Sequence, residues 1–118
     1  MIGIDLVKIE RIASMMERFD SKALKRFLND DEIILVTNPR TAAGFWAAKE
    51  ACSKALGTGI GKECGFHDMV ISKNNRGAPA ISLCERLEDA YRVANTSLSI
   101  THDGDYAIAV VAIEILRN

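Results

Sequence analysis

Apolar and polar positions alternate at the start of the chain. Ile2, Ile4 and Leu6 fall on one face and Gly3, Asp5 and Val7 on the other, which predicts a short strand over 2–7. From Lys8 the period lengthens. Ile9, Ile12, Met16 and Phe19 recur every three or four residues and predict an amphipathic helix to Asp20, with those four as its core stripe. A second stripe on the same helix, Lys8, Arg11, Met15, Arg18 and Lys22, is basic. Leu24, Phe27 and Leu28 predict a further helical turn, and Asn29-Asp30-Asp31-Glu32 a loop that caps another short helix through Val36. Asn38-Pro39 ends it, because a residue before proline is pushed out of the α region. The longest helical signal runs from about Arg40 to Leu56. It is rich in alanine and stops in Gly57-Thr58-Gly59-Ile60-Gly61.

The second half reads mainly as strands. Met69 to Lys73 alternates, Asn74-Asn75-Arg76-Gly77 is turn chemistry, and Ala78 to Leu83 returns as the partner. Ser82-Leu83-Cys84-Glu85 fits a capping box for a helix to about Ala94, with Leu83, Leu87, Ala90 and Tyr91 facing inward. Leu98 and Ile100 alternate with Ser97, Ser99 and Thr101. Asp103-Gly104 marks a hairpin turn, and Tyr106 to Ile115 is a long apolar strand. The expected class is α+β, a small mostly antiparallel sheet packed against a long central helix. With no repeat or linker to mark a boundary, residues 1–118 are expected to form a single domain.

Composition narrows the possible functions. The 118 residues carry a net charge of −1, so there is no global electrostatic footprint for nucleic acid or an anionic membrane. A chain this short buries only part of its surface, which makes self-association a ready way to gain core. Cys52, Cys64 and Cys84 are odd in number, widely spaced and without a C-x-x-C pair. They read as reduced thiols, in keeping with a cytoplasmic location. The opening Met1-Ile2-Gly3-Ile4-Asp5 lacks the basic start of a signal peptide, and no apolar run approaches the ~20 residues that span a bilayer.

Three features carry candidate chemistry, and each has a plainer reading. Asp5 is a carboxylate inside an otherwise apolar strand; an edge-strand acid facing water would look the same. Glu50 and Lys54 are four apart on the long helix, one turn below Trp46, and fit a surface ion pair equally well. However, Ala47, Ala48, Ala51 and Ala55 let this helix pack closely at the centre, where a charged pair needs a partner such as a metal or an anion. Ser97, Ser99 and Thr101 form a row of hydroxyls that ends at His102, a residue that structural packing alone would explain. Gly57, Gly59 and Gly61 are not a P-loop, since Glu63 follows Lys62, although Lys62 remains able to reach a phosphate. Together these residues suggest a division of labour. Asp5 and Glu50 are able to share a Mg²⁺, which takes only one or two protein carboxylates, while Lys54 and His102 balance phosphate charge. Mn²⁺ suits the same oxygen ligands. No Ser/His/Asp triad or Cys/His nucleophile is legible.

Four blocks, Gly3-Ile4-Asp5-Leu6, Phe45 to Ala51, Ser53 to Gly61 and Ser99-Ile100-Thr101-His102-Asp103, resemble the signature blocks of the bacterial holo-acyl-carrier-protein synthases, the short branch of the phosphopantetheinyl transferases. The resemblance spans nearly the whole chain in order. It implies an α+β fold and homotrimers with sites at subunit interfaces. It also implies an activity in fatty acid biosynthesis: coenzyme A gives its phosphopantetheine arm to a serine of apo-acyl carrier protein, with Mg²⁺, and adenosine bisphosphate leaves. Through the resemblance, Asp5 and Glu50 match metal ligands, Lys54 a coenzyme A phosphate contact, and His102 a histidine near the nucleotide phosphates. Gly59, Gly61 and Lys62 match the loop beside the nucleotide, and Arg11 a basic residue that meets the carrier protein. Lys8 and Arg18 share the stripe of Arg11 and would steer the same acidic partner. Glu50 is the candidate base for the serine proton and Lys54 the stabiliser of leaving-phosphate charge. Two departures stand out. Phe45-Trp46 replaces a common Arg-Phe, and Gly77-Ala78-Pro79 a common Gly-Lys-Pro. Either a basic nucleotide contact is absent or Arg40 replaces it. The competing activity classes are a metal-dependent nucleotide phosphohydrolase and a non-catalytic trimeric binding module.

Overall fold

The structure, a computed structural model, describes residues 1–117. In chain order the elements are β1 (Ile2–Lys8), α1 (Ile9–Phe19), α2 (Ser21–Lys25), α3 (Asp30–Ile33), α4 (Pro39–Leu56), β2 (Met69–Lys73), β3 (Pro79–Leu83), α5 (Glu85–Tyr91), β4 (Val93–Asp103) and β5 (Tyr106–Ile115). A single 3₁₀ turn, Phe66–Asp68, leads into β2. The strands make two antiparallel sheets, a three-stranded one in the order β1-β5-β4 and a β2-β3 hairpin. The Thr96 hydroxyl donates to the Ile81 carbonyl and ties the two together.

α4 is the spine. Pro39 opens it, and the Asn38 side chain caps it by accepting from the Thr41 amide at 3.0 Å. Gly57, at φ 86°, closes it, its N–H donating a hydrogen bond to the Lys54 carbonyl. Small residues let the sheet lie directly on this helix. Ala47, Ala48, Ala51, Ala107 and Ala109 are fully buried. A Cβ built on Gly3 would sit 2.6 Å from the Ala55 amide nitrogen and closer still to the Ala51 carbonyl oxygen. Backbone therefore meets backbone where β1 crosses α4, and only glycine fits there.

The register assigns the faces of the sheet. Gly3 and Val7 are buried against the helix, whereas Ile2, Ile4 and Leu6 point away from it and are 72, 60 and 57% exposed. Ile4 pairs with Val110 and Val110 with Ser99; Leu6 pairs with Ile108 and Ile108 with Thr101. The outer face thus grades from an apolar β1–β5 side to a row of hydroxyls on β4.

Several details differ from the pattern-based expectation. Phe19 is 43% exposed and not in the core stripe. The chain turns sharply at Asp20, φ 49°, and leaves the ring at the helix end under the Arg18 guanidinium, 5.3 Å from its centroid. α5 stops at Tyr91 because Arg92 adopts a left-handed conformation, φ 56°, so Ala90 is exposed and β4 begins already at Val93. The acidic stretch Asp30–Glu32, expected as a loop, forms the first turn of α3 and hides a residue. Glu32 is fully buried in an ion pair with Lys49 at 2.8 Å, and its two oxygens accept from the Asn29 and Ile71 amides. Lys49 donates in addition to the Phe27 carbonyl at 2.8 Å. Burial pulls the proton affinity of Lys49 down, against the hydrogen bond and charge of Glu32, which hold it up. Among the described residues, no helix is long and apolar enough to cross a membrane.

Candidate active site

Asp5 shares the inner side of β1 with Gly3 and Val7, and its side chain is 13% exposed. Across the Gly3 contact it meets Lys54 of α4, whose ammonium donates to Asp5 Oδ1 at 2.9 Å and to the Ile4 carbonyl at 3.3 Å. Helical spacing suggests that Lys54 pairs with Glu50; the close approach of β1 gives it to Asp5 instead. The bond to Asp5 holds the Lys54 ammonium above its ordinary pKa. Glu50 is one turn earlier and half-buried; its carbonyl accepts from the Ser53 hydroxyl at 2.7 Å, but its carboxylate accepts no hydrogen bond from the described residues. Burial pushes its carboxyl up, the nearby Asp5 charge adds to this, and Lys54 and Arg11 pull it down. Asp5, Glu50, Lys54 and Arg11, drawn from three elements, therefore share one electrostatic neighbourhood.

Arg11 is exposed on α1, and its guanidinium lies 5.2 Å from the centroid of the Trp46 ring on α4. Trp46 in turn packs on Phe27, at 5.1 Å between centroids, and on Phe66, at 4.9 Å. Lys8 and Arg18 are exposed along the same stretch.

His102 lies elsewhere, near the start of α4. Its Nε2 is 2.9 Å from the Arg40 carbonyl oxygen, to which it donates. It lines a cavity of about 180 Å³ with Thr41, Phe45, Lys73, Pro79 and Ile100. No carboxylate lines this cavity, and the Lys73 ammonium stands 5.8 Å over the Phe45 ring. Lys73 is the residue that sequence reasoning missed. The signal was available, since Lys73 is in phase with Met69 and Ile71, whose side chains are buried, and so lies on the inner face of β2. The exposed Arg40 side chain faces a different hollow, beside Glu10 and Asp105.

The glycine loop lies past the far end of α4. Gly61 and Lys62 line an open hollow of about 790 Å³ with Glu63, Arg86 and Tyr91. Gly59 has φ 66°. The Tyr91 hydroxyl donates to Glu63 Oε2 at 2.6 Å and Arg86 to the Glu63 carbonyl at 3.1 Å, which braces the loop. The structure thus brings Asp5, Glu50 and Lys54 together and sets His102 and Gly59–Lys62 at opposite ends of the helix. Ten residues separate Lys54 from Gly44, which lies against His102, or roughly 15 Å of helical rise. A ligand contacting both would have to be long, with phosphate charge at separated points.

Known proteins share this sequence and fold. The holo-acyl-carrier-protein synthase of Sulfurimonas denitrificans is 63% identical over 114 residues, 97% of this chain and 94% of that protein. The same enzyme of Wolinella succinogenes is 57% identical over 117 residues, 99% of each. Among solved structures, Helicobacter pylori holo-acyl-carrier-protein synthase in complex with coenzyme A superposes with a TM-score of 0.94 at 49% identity, covering 97% of this chain and all of that one. A family profile matches residues 1–111, which takes in β1, α4 and His102 alike. The chain therefore belongs to the 4'-phosphopantetheinyl transferase superfamily, in its ACPS family.

Proposed function

We propose that this chain transfers the phosphopantetheine arm of coenzyme A to a serine hydroxyl of an apo-acyl carrier protein and releases adenosine bisphosphate. The supporting observation is the meeting of Asp5, Glu50 and Lys54 across the β1–α4 contact in a chain of this family. The nucleophile belongs to the partner, which accounts for the lack of a legible nucleophile here. In the reaction the serine oxygen bonds to the phosphorus that carries the pantetheine arm. The bridging P–O bond breaks, and its electron pair leaves with the adenosine phosphate. Glu50 takes the serine proton; burial and the Asp5 charge raise its proton affinity, which strengthens it as a base. Lys54 meets the charge that gathers on the leaving phosphate.

Asp5 and Glu50 are the residues that would hold a Mg²⁺ or Mn²⁺ ion. The donor set fits, with two carboxylates near enough to repel each other and one without a hydrogen-bond donor. A Mg²⁺ ion takes only one or two protein carboxylates and completes its shell with water and phosphate oxygens. When bound, such an ion supplies charge neutralisation at the pyrophosphate.

His102 and Lys73 bind the nucleotide phosphates, so that Lys73 and not Arg40, which faces the separate hollow beside Glu10, supplies the positive charge lacking at Phe45 and Ala78. Gly59, Gly61 and Lys62 flank the ligand at the other end. Lys8, Arg11 and Arg18 face the acidic carrier. The chain assembles as a homotrimer through the outer sheet face, with each site completed by a neighbour and the molecule residing in the cytoplasm. The test is one incubation with coenzyme A, Mg²⁺ and apo-carrier, read by mass spectrometry. A carrier heavier by the phosphopantetheine arm supports the proposal; nucleotide or phosphate released without carrier points to a phosphohydrolase and overturns it. Glu50→Gln should lower kcat/KM by roughly a hundred- to ten-thousand-fold, and Asp5→Asn should abolish Mg²⁺-dependent transfer. Normal transfer by either variant would remove that residue from the site.

A further inference from the structure

Arg11 and Trp46 form a contact that the reaction itself does not require. Trp46 is the only tryptophan in the chain. Its ring is gripped edge-on by Phe27, at 74° between planes, and tilted against Phe66, so its orientation is set by a packed aromatic cluster and not by solvent. Trp46 also stands one turn before Glu50 on α4, and the charge of Arg11 reaches the Glu50 carboxyl. The Arg11 Cζ stands 5.2 Å over the Trp46 ring centroid and its guanidinium donates to no described residue, so its N–H groups are open to a carboxylate, which a guanidinium grips with two parallel bonds. An unsupported arginine on an exposed helix face would lose several rotamers on binding; one already lying against a ring loses fewer.

Resting on the transferase reading above, we propose that Trp46 is a positioning residue. It holds the Arg11 guanidinium against its face so that the free N–H edge is ready for an acidic side chain of the incoming carrier beside Glu50 and Asp5. The platform acts on the partner and not on coenzyme A, whose phosphates meet Lys54, Lys73 and His102. Its effect therefore belongs in the carrier KM alone.

Steady-state kinetics with carrier and coenzyme A varied separately test this. Trp46→Leu should raise the carrier KM about two- to fivefold, the worth of a cation–π contact at an exposed site, with the coenzyme A KM unchanged. Trp46→Phe, which keeps a ring within the cluster, should lose less. In an Arg11→Ala background Trp46→Leu should add nothing further. The role is overturned if Trp46→Leu raises both KM values alike, if Trp46→Phe loses as much as Trp46→Leu, or if the losses from Arg11 and Trp46 multiply. A second readout needs no turnover: Arg11→Ala should change the emission of the sole tryptophan in the free protein, and an unchanged spectrum would show that the stack does not exist. Failure of the wild-type chain to modify any carrier would instead overturn the transferase reading and leave the spectroscopic result standing.

Discussion

Glu50 illustrates a residue placed at some expense to the fold. Its carboxyl is pushed up by burial and by Asp5, so the folded chain binds that proton more tightly than the unfolded chain does. Such a group weakens the fold when ionised. The cost is fully present well above the ordinary carboxylate range and vanishes as the pH falls below it. Glu50→Gln should therefore raise Tm at neutral pH in the presence of a chelator, and the gain should shrink toward about pH 3.5, where the parent carboxyl is also neutral. Calorimetry at the two pH values checks this. Lys73 makes a complementary prediction. It lies over Phe45 in a cavity free of carboxylates, so Lys73→Ala should raise the coenzyme A KM several-fold while leaving the carrier KM and Tm near those of the parent.

At the scale of elements, the β1–α4 crossing decides whether the site exists. A methyl group at residue 3 would strike the rigid backbone of Ala51 and Ala55, so Gly3→Ala must push the strand off the helix. Both stability in denaturant titration and transfer activity should fall, because Asp5 moves away from Lys54 with the strand. The Glu32–Lys49 pair is a second joint, linking α3, α4 and β2. Glu32→Ala leaves the buried Lys49 without a counter-charge and should cost about 3–5 kcal/mol. These joints explain what was legible in the sequence. Alternation and helical spacing revealed β1, α4, β2 and the β4–β5 hairpin, and the family motifs picked out Asp5, Glu50 and Lys54. The Lys54–Asp5 pairing and the buried Glu32 were not visible, because each depends on which segments meet across the fold. The early end of α5 depended on a single left-handed residue, Arg92, that carries no glycine or asparagine signal.

At the scale of the whole molecule, the three-stranded sheet has one face on α4 and the other bare. Exposed Ile2, Ile4 and Leu6 beside Val110 are an unusual surface for an isolated small chain. Ile4→Lys on that face should shift the sedimentation coefficient from trimer to monomer and reduce activity with the α4 core intact; a wild-type chain that sediments as a monomer would remove the trimer from the proposal. The strand order carries one more consequence. β1 is the first element in the chain and β5 the last, yet they are hydrogen-bonded neighbours, with Ile2 opposite Ala112. During synthesis the β1 backbone has no mate until Tyr106–Ile115 has emerged from the ribosome. Its ladder N–H and C=O groups wait unpaired in the meantime, and a chain that stops before Tyr106 would leave that edge of β1 open.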